Sequence, residues 1–182
     1  MGKGKFTSAD VAAAAACIRH RCVGMRLANV YDTDKGTYLF KLSRSGGATE
    51  TGDAEKVLLL VEAGARVHTT QFVRDKSRLP SNFCVKLRKH LRTRRLAAAR
   101  QLGGDRVLDL EFGSGEACHH LLVEFYAGGN VILTDGAYGV LTLLRSHRDD
   151  ASGLQIMANR PYPLDHCRPY RRVGAGELRG AL

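Results

Sequence analysis

With 182 residues, 44% of them hydrophobic and 25% charged, the chain has the composition of one soluble globular domain, which excludes a disordered segment, a collagen-like rod and a coiled coil. Twenty-eight Lys and Arg stand against eighteen Asp and Glu, a formal charge of +10 that draws polyanions, so nucleic acid or an anionic membrane enters as an expected class of partner. The longest apolar run, 11–18, is mostly alanine and ends at Arg19, too short for a membrane span and lacking the pattern of a signal peptide.

In chain order, Thr7 followed three residues later by Asp10 fits a capping box that opens an alanine-rich helix to about residue 21, stopped by Gly24. A strand over 25–31, a turn from Asp32 to Gly36 and a strand over 37–42 make a hairpin. Residues 43–54 are rich in Ser, Gly and Thr and read as a loop, followed by short strands at 56–61 and 65–69 around Gly64.

The charge is concentrated next. From Arg74 to Arg106 the chain carries eleven cations against Asp75 and Asp105, a net of +9, and all other residues together net +1. Pro80 and Ser81 mark a helix start, and Phe83, Leu87 and Leu91 form an apolar stripe at four-residue spacing. Lys86, Arg88, Lys89, Arg92 and Arg95 fall outside that stripe and, with Arg94, form the expected surface for RNA backbone. A solubility face interleaves both signs, whereas no acid occurs from Lys86 to Arg100. The weak apolar load of the stripe disfavours a membrane-surface helix. This segment, about 81–102, reads as a basic helical pair inserted into the domain.

Strands are expected at 105–112, 117–126, 130–134 and 139–145, separated by Gly113-Ser114-Gly115, Gly128-Gly129 and Asp135-Gly136 as tight turns. The polar region beyond residue 146 holds three of the four prolines and reads as a tail, giving a domain at 1–148 and a tail or the start of a further region at 149–182. The fold class is α+β: two sets of antiparallel strands, packed as a sandwich with flanking helices.

Catalytic chemistry is thinly represented. Gly113-Ser114-Gly115 joins two strands and lacks the Lys of a phosphate loop, so it reads as a hairpin turn. Cys118 and His120 share one strand face, but no second Cys or His pair follows at ligand spacing, and no metal or cofactor is expected. Five irregularly spaced cysteines read as free thiols of a reducing compartment, with Cys17 and Cys22 as packing thiols of the first helix. No nucleophile with a base can be assembled. Of the acids, Asp10 has a capping explanation and Asp105 a turn or ion-pair explanation.

Seven motifs then occur in register: Phe6-Thr7 with Asp10, Val23-Gly24-Met25-Arg26-Leu27-Ala28-Asn29-Val30-Tyr31-Asp32, Glu62-Ala63-Gly64-Ala65-Arg66-Val67-His68, Lys86-Leu87-Arg88-Lys89-His90-Leu91-Arg92, Gln101-Leu102-Gly103-Gly104-Asp105-Arg106-Val107, Glu124-Phe125-Tyr126 and Gly129-Asn130-Val131-Ile132-Leu133-Thr134-Asp135. This series resembles the N-terminal domain of the NFACT family over about residues 6–145. The resemblance implies ribosome-associated quality control in the cytoplasm: binding to a large ribosomal subunit that holds peptidyl-tRNA, recruitment of charged tRNA to extend the stalled chain without mRNA, and help for the ubiquitin ligase Listerin. It implies a fold similar to the N-terminal domain of formamidopyrimidine-DNA glycosylases. It also implies that Asp10, Asp105 and Arg106 serve tRNA recognition in tail elongation, with carboxylates accepting hydrogen bonds and arginine pairing or stacking.

Two other readings stand beside it. A glycosylase-like enzyme would need an N-terminal Pro-Glu, and Gly2 and Lys3 occupy those places, so a binding module and not an enzyme is expected. A protein-interaction module would set the basic helix against an acidic partner. Family members continue into helical, coiled-coil and RNA-binding regions, so the chain is expected to be a fragment or a shortened relative, with Listerin engaged through regions lying elsewhere.

Overall fold

A computed structural model describes residues 4–48, 54–72, 77, 79–126 and 128–170. Gly2, Lys3, Arg74, Asp75, Lys76, Arg78 and the end of the expected tail, 171–182, lie outside the described residues.

The first helix, α1 (Ser8–Cys22), begins as the capping pattern dictates. The Thr7 side chain accepts from the Asp10 amide, and the Asp10 carboxylate accepts from the Thr7 amide at 2.7 Å. Its buried side, Val11, Ala15, Ile18 and Cys22, follows a helical repeat into the core, whereas Cys17 is exposed and so packs nothing there. Four antiparallel strands follow as a meander: β1 (Arg26–Asp34), β2 (Thr37–Ala48), β3 (Ala54–Glu62) and β4 (Arg66–Thr70). β2 runs on to Ala48 through residues expected to be a loop, because the ladder with β3 continues to Ala48 opposite Ala54.

The second helix, α2 (Asn82–Leu91), has Ser81 as N-cap. Ser81 is itself held by Asp32, whose carboxylate accepts from the Ser81 amide and hydroxyl at 2.8 Å, tying the helix to the end of β1. Cys84, Leu87 and Leu91 are fully buried, while Phe83 only edges the core. The expected helical pair is corrected here to one helix and a strand. Thr93 takes a left-handed φ of 67°, stabilised by its amide donating to the Leu27 carbonyl, and helical winding stops there. Arg94 to Leu96 then pair with Met25 to Leu27, so the chain passes from the first sheet into the second.

That second sheet is another antiparallel meander: β5 (Leu96–Gln101), β6 (Val107–Phe112), β7 (His119–Glu124), β8 (Asn130–Asp135) and β9 (Val140–Leu143). One face joins α1, α2 and the first sheet in a single core containing Phe40, Leu59, Leu87, Leu110, Phe112 and Leu133. The two sheets also meet backbone to backbone at Gly64 and Gly129, both at positive φ, where a methyl on Gly129 would lie 1.9 Å from the Gly64 nitrogen.

The expected tail is folded over residues 147–170. A hairpin of β10 (His147–Asp149) and β11 (Leu154–Ile156), with Tyr162 beyond it, covers Val107, Leu122, Ile132 and Val140 on the outer face of the second sheet. Fully burying such side chains is worth about 1.5–3 kcal/mol each, which outweighs the polar composition that suggested a tail. The Tyr162 hydroxyl donates to Glu124 Oε1 at 2.8 Å, and burial pushes the Glu124 carboxyl up.

Candidate nucleic-acid interface

α1 and α2 deliver their C-terminal ends to the same end of the molecule, near Gly24 and Leu96. Each carries basic residues in its last turn, Arg19 and Arg21 on α1 and Arg88 and Lys89 on α2, where they complement the negative end of the helix dipole. Lys86, Lys89, Arg92 and Arg95 are exposed, and among the described residues none of them, nor Arg88 or Arg94, is ion-paired with a carboxylate.

Three of the expected cations are fixed by backbone carbonyls. Arg88 Nε donates to the Val30 carbonyl at 2.7 Å with its guanidinium 5.7 Å from the Tyr31 ring centroid. Arg94 donates to the carbonyls of His90 and Ala117, and Arg95 to that of Gly24 at 2.8 Å. A carbonyl does not neutralise a guanidinium, so these contacts aim the charge without cancelling it. Arg26, exposed and donating to the Thr93 carbonyl at 2.8 Å, joins the same surface. Sequence reading missed it because it lies in another element, and only the pairing of Arg26 with Arg95 brings it there.

His90 and His119 lie beside this surface with ring centroids 5.3 Å apart. Burial, then the charge of the other ring, lowers His90, and burial lowers His119, so both favour the neutral form.

Asp105 and Arg106 stand together at the other end of β5, and Asp10 lies in the first turn of α1, whose start is tied to that end. The Ser8 hydroxyl donates to the Gly104 carbonyl at 2.7 Å, and the Gln101 amide nitrogen bridges Ser8 to the Asp105 carbonyl. These bonds clamp the start of α1, where Asp10 caps, against the 102–106 turn. Asp105 accepts from the Arg106 amide at 2.7 Å and the Arg168 amide at 2.8 Å. Burial raises its carboxyl, but the Arg168 amide, the Tyr126 hydroxyl and the Arg106 amide outweigh that and hold it below the ordinary value. The Thr7 hydroxyl and amide lower Asp10 as well. Arg106 lies 5.2 Å from the Tyr126 ring centroid, and a shallow cleft of about 290 Å³ opens between Lys5, Thr7, Asp105, Arg106 and Tyr126. Gly103 (φ 56°) permits this closure, since a methyl there would meet the Arg168 carbonyl oxygen at 2.2 Å.

The acid–guanidinium set does not adjoin the basic surface. The six residues of β5 separate them by roughly 20 Å at the rise of a strand. A larger groove of about 550 Å³, lined by His20, Arg21, Lys56 and the ion pair of Arg44 with Glu55 at 3.0 Å, lies beside the end of α1, apart from the Asp105 cleft.

Comparison with known proteins gives consistent results. The family model of the NFACT N-terminal and middle domains matches residues 7–169. The chain is 43% identical over 166 residues to a Homo sapiens protein named ribosome quality control complex subunit NEMF, covering 91% of this chain and 15% of that protein. It is 43% identical over 149 residues to ribosome quality control complex subunit 2 of Schizosaccharomyces pombe, covering 79% of this chain and 14% of that one. The chain thus spans about one-seventh of the length of these relatives. The N-terminal domain of the fibronectin-binding protein PavA of Streptococcus pneumoniae shares the fold, with a TM-score of 0.77 at 16% identity over 96% of this chain and 68% of that chain.

Proposed function

Because the chain belongs to the NFACT family, we propose that it serves ribosome quality control as a module that binds tRNA and the large ribosomal subunit, without catalysis of its own. The observation that carries this reading is the set of cations from Lys86 to Arg95, standing on one end of the molecule without acidic partners among the described residues. Such a surface contacts phosphates and carries no sequence information. Discrimination falls to the second set, Asp10, Asp105 and Arg106, whose ionised carboxylates accept hydrogen bonds from base edges or sugar hydroxyls and whose arginine stacks or pairs with phosphate.

The span between the sets selects the shape of the ligand. A ligand touching both must reach roughly 20 Å, the length of β5. A folded RNA such as tRNA meets that condition, and a single nucleotide does not. In the whole protein the module would act at a subunit holding peptidyl-tRNA, in the cytoplasm, contributing to mRNA-independent extension of the stalled chain. Listerin-type ligases would be met by other regions. The likeness of the paired sheets to a glycosylase N-terminal sandwich belongs to this proposal too, and superposition on such a domain tests it.

The deciding experiment is fluorescence anisotropy with labelled tRNA, competed by unlabelled tRNA and by unstructured RNA of equal length. A clear excess of tRNA competition is expected. Equal competition by any polyanion would replace this reading with that of a module for acidic partners.

A further inference from the structure

On the outer face of the second sheet, beside the apolar patch that the β10–β11 hairpin covers, lies a polar cluster that neither charged set uses. Strand register builds it. Arg100 pairs with Asp109 across β5 and β6, and Glu111 pairs with His120 across β6 and β7. Cys118, two residues before His120, reaches the same face. One donor atom each from Glu111, Cys118 and His120 lie within 4.8 Å of one another, with Cys118 and His120 buried.

The geometry points to a metal site: we propose that Glu111, Cys118 and His120 bind one zinc-class divalent cation, with water in the fourth position. For Zn–S near 2.3 Å and Zn–N near 2.0–2.1 Å, a tetrahedral angle sets sulfur and nitrogen about 3.6 Å apart. Cys118 Sγ and His120 Nε2 are 3.7 Å apart. His120 Nδ1 lies 2.9 Å from Asp109 Oδ1, so its proton donates there and leaves the Nε2 lone pair facing the sulfur. Tyr138 stacks on the ring at 4.2 Å, and its hydroxyl donates to Asp109 Oδ2 at 2.8 Å, fixing both.

Charge agrees with the geometry. Arg100 pairs with Asp109 and Glu111, both at 3.0 Å, and offsets one of the two carboxylates. With the Cys118 thiolate, a divalent ion brings the group to neutrality. Thiolate with imidazole selects the zinc class over Mg²⁺ or Ca²⁺, which prefer oxygen alone. Binding as a thiolate releases the Cys118 proton to solvent on metal entry.

Titration of the full chain with Co²⁺ tests this. One equivalent is expected to give a thiolate-to-cobalt charge-transfer band with tetrahedral d–d bands, discharged by one equivalent of Zn²⁺. Cys118→Ser should abolish the band, Glu111→Gln should weaken binding at least tenfold, and Cys17→Ser should leave the spectrum unchanged. Absence of a thiolate band in the unaltered chain would overturn the proposal, as would a band that survives Cys118→Ser. Asp109→Asn, which keeps the ring oriented but lowers its basicity, should weaken Zn²⁺ binding roughly 10–100-fold. Circular dichroism of each variant confirms that the loss is not unfolding.

Discussion

At the Leu96 end of β5, cations stand exposed and several are held only by backbone carbonyls. At the Gln101 end, each acid is already engaged: Asp105 by the amides of Arg106 and Arg168, Asp10 by Thr7. The first arrangement leaves charge uncompensated and available to any anion. The second fixes geometry at the cost of free charge. Under the proposed function, affinity and choice would occupy separate places on this fold, joined by a strand and by α1, whose 15 residues span about 22 Å.

The strongest way to break that contrast is to remove the first set. Changing Lys86, Lys89, Arg92 and Arg95 to Ala together should weaken tRNA binding roughly hundredfold and lower the slope of log affinity against log salt by about 3, measured by anisotropy across a KCl series. Asp105→Ala should leave that slope unchanged and shift affinity far less. Its cost falls on the fold, at about 1–3 kcal/mol by urea titration, because the Arg106 and Arg168 amides lose their acceptor. If both changes flatten the salt dependence alike, the two ends do not divide the work.

A third test concerns pH. The folded Glu124 carboxyl is raised by burial, so between its ordinary and its raised value the folded state holds more protons and stability falls as pH rises. Glu124→Gln should abolish that decline in a series of thermal melts, while leaving tRNA binding intact. The smallest effect is expected from Asp10→Ala, a slight loss of thermal stability from the broken capping box with the basic surface untouched, read by calorimetry beside Asp105→Ala.

Local signals were readable in the chain. The Thr7–Asp10 box, the Ser81 cap and the Gly128-Gly129 turn each act within a few residues, and the structure realises them. The expected tight turn at Gly113-Ser114-Gly115 is instead a longer link, with a 3-10 helix over Gly115–Ala117 that delays β7 to His119. What escaped depends on distant partners. β5 follows a helix and runs Leu-Ala-Ala-Ala-Arg-Gln, a helix-favouring sequence, and only the left-handed Thr93 and the ladder to β6 make it a strand. The polar stretch past residue 146 hides Ile156 and Tyr162, whose burial depends on the outer face of a sheet formed earlier in the chain. Glu111 escaped the count of ligands because it reaches His120 through strand register and not through sequence spacing. The acids at Asp10 and Asp105 were singled out in the sequence, but their separation from the cations became visible only with β5 in place.

The meeting of Gly64 with Gly129 has a wider consequence. Peptide groups, not side chains, set the spacing of the two sheets at that corner, so a change of side-chain volume elsewhere in the interior does not resize the joint. The corner acts as a fixed hinge pin of zero side-chain width, against which divergent cores can be repacked.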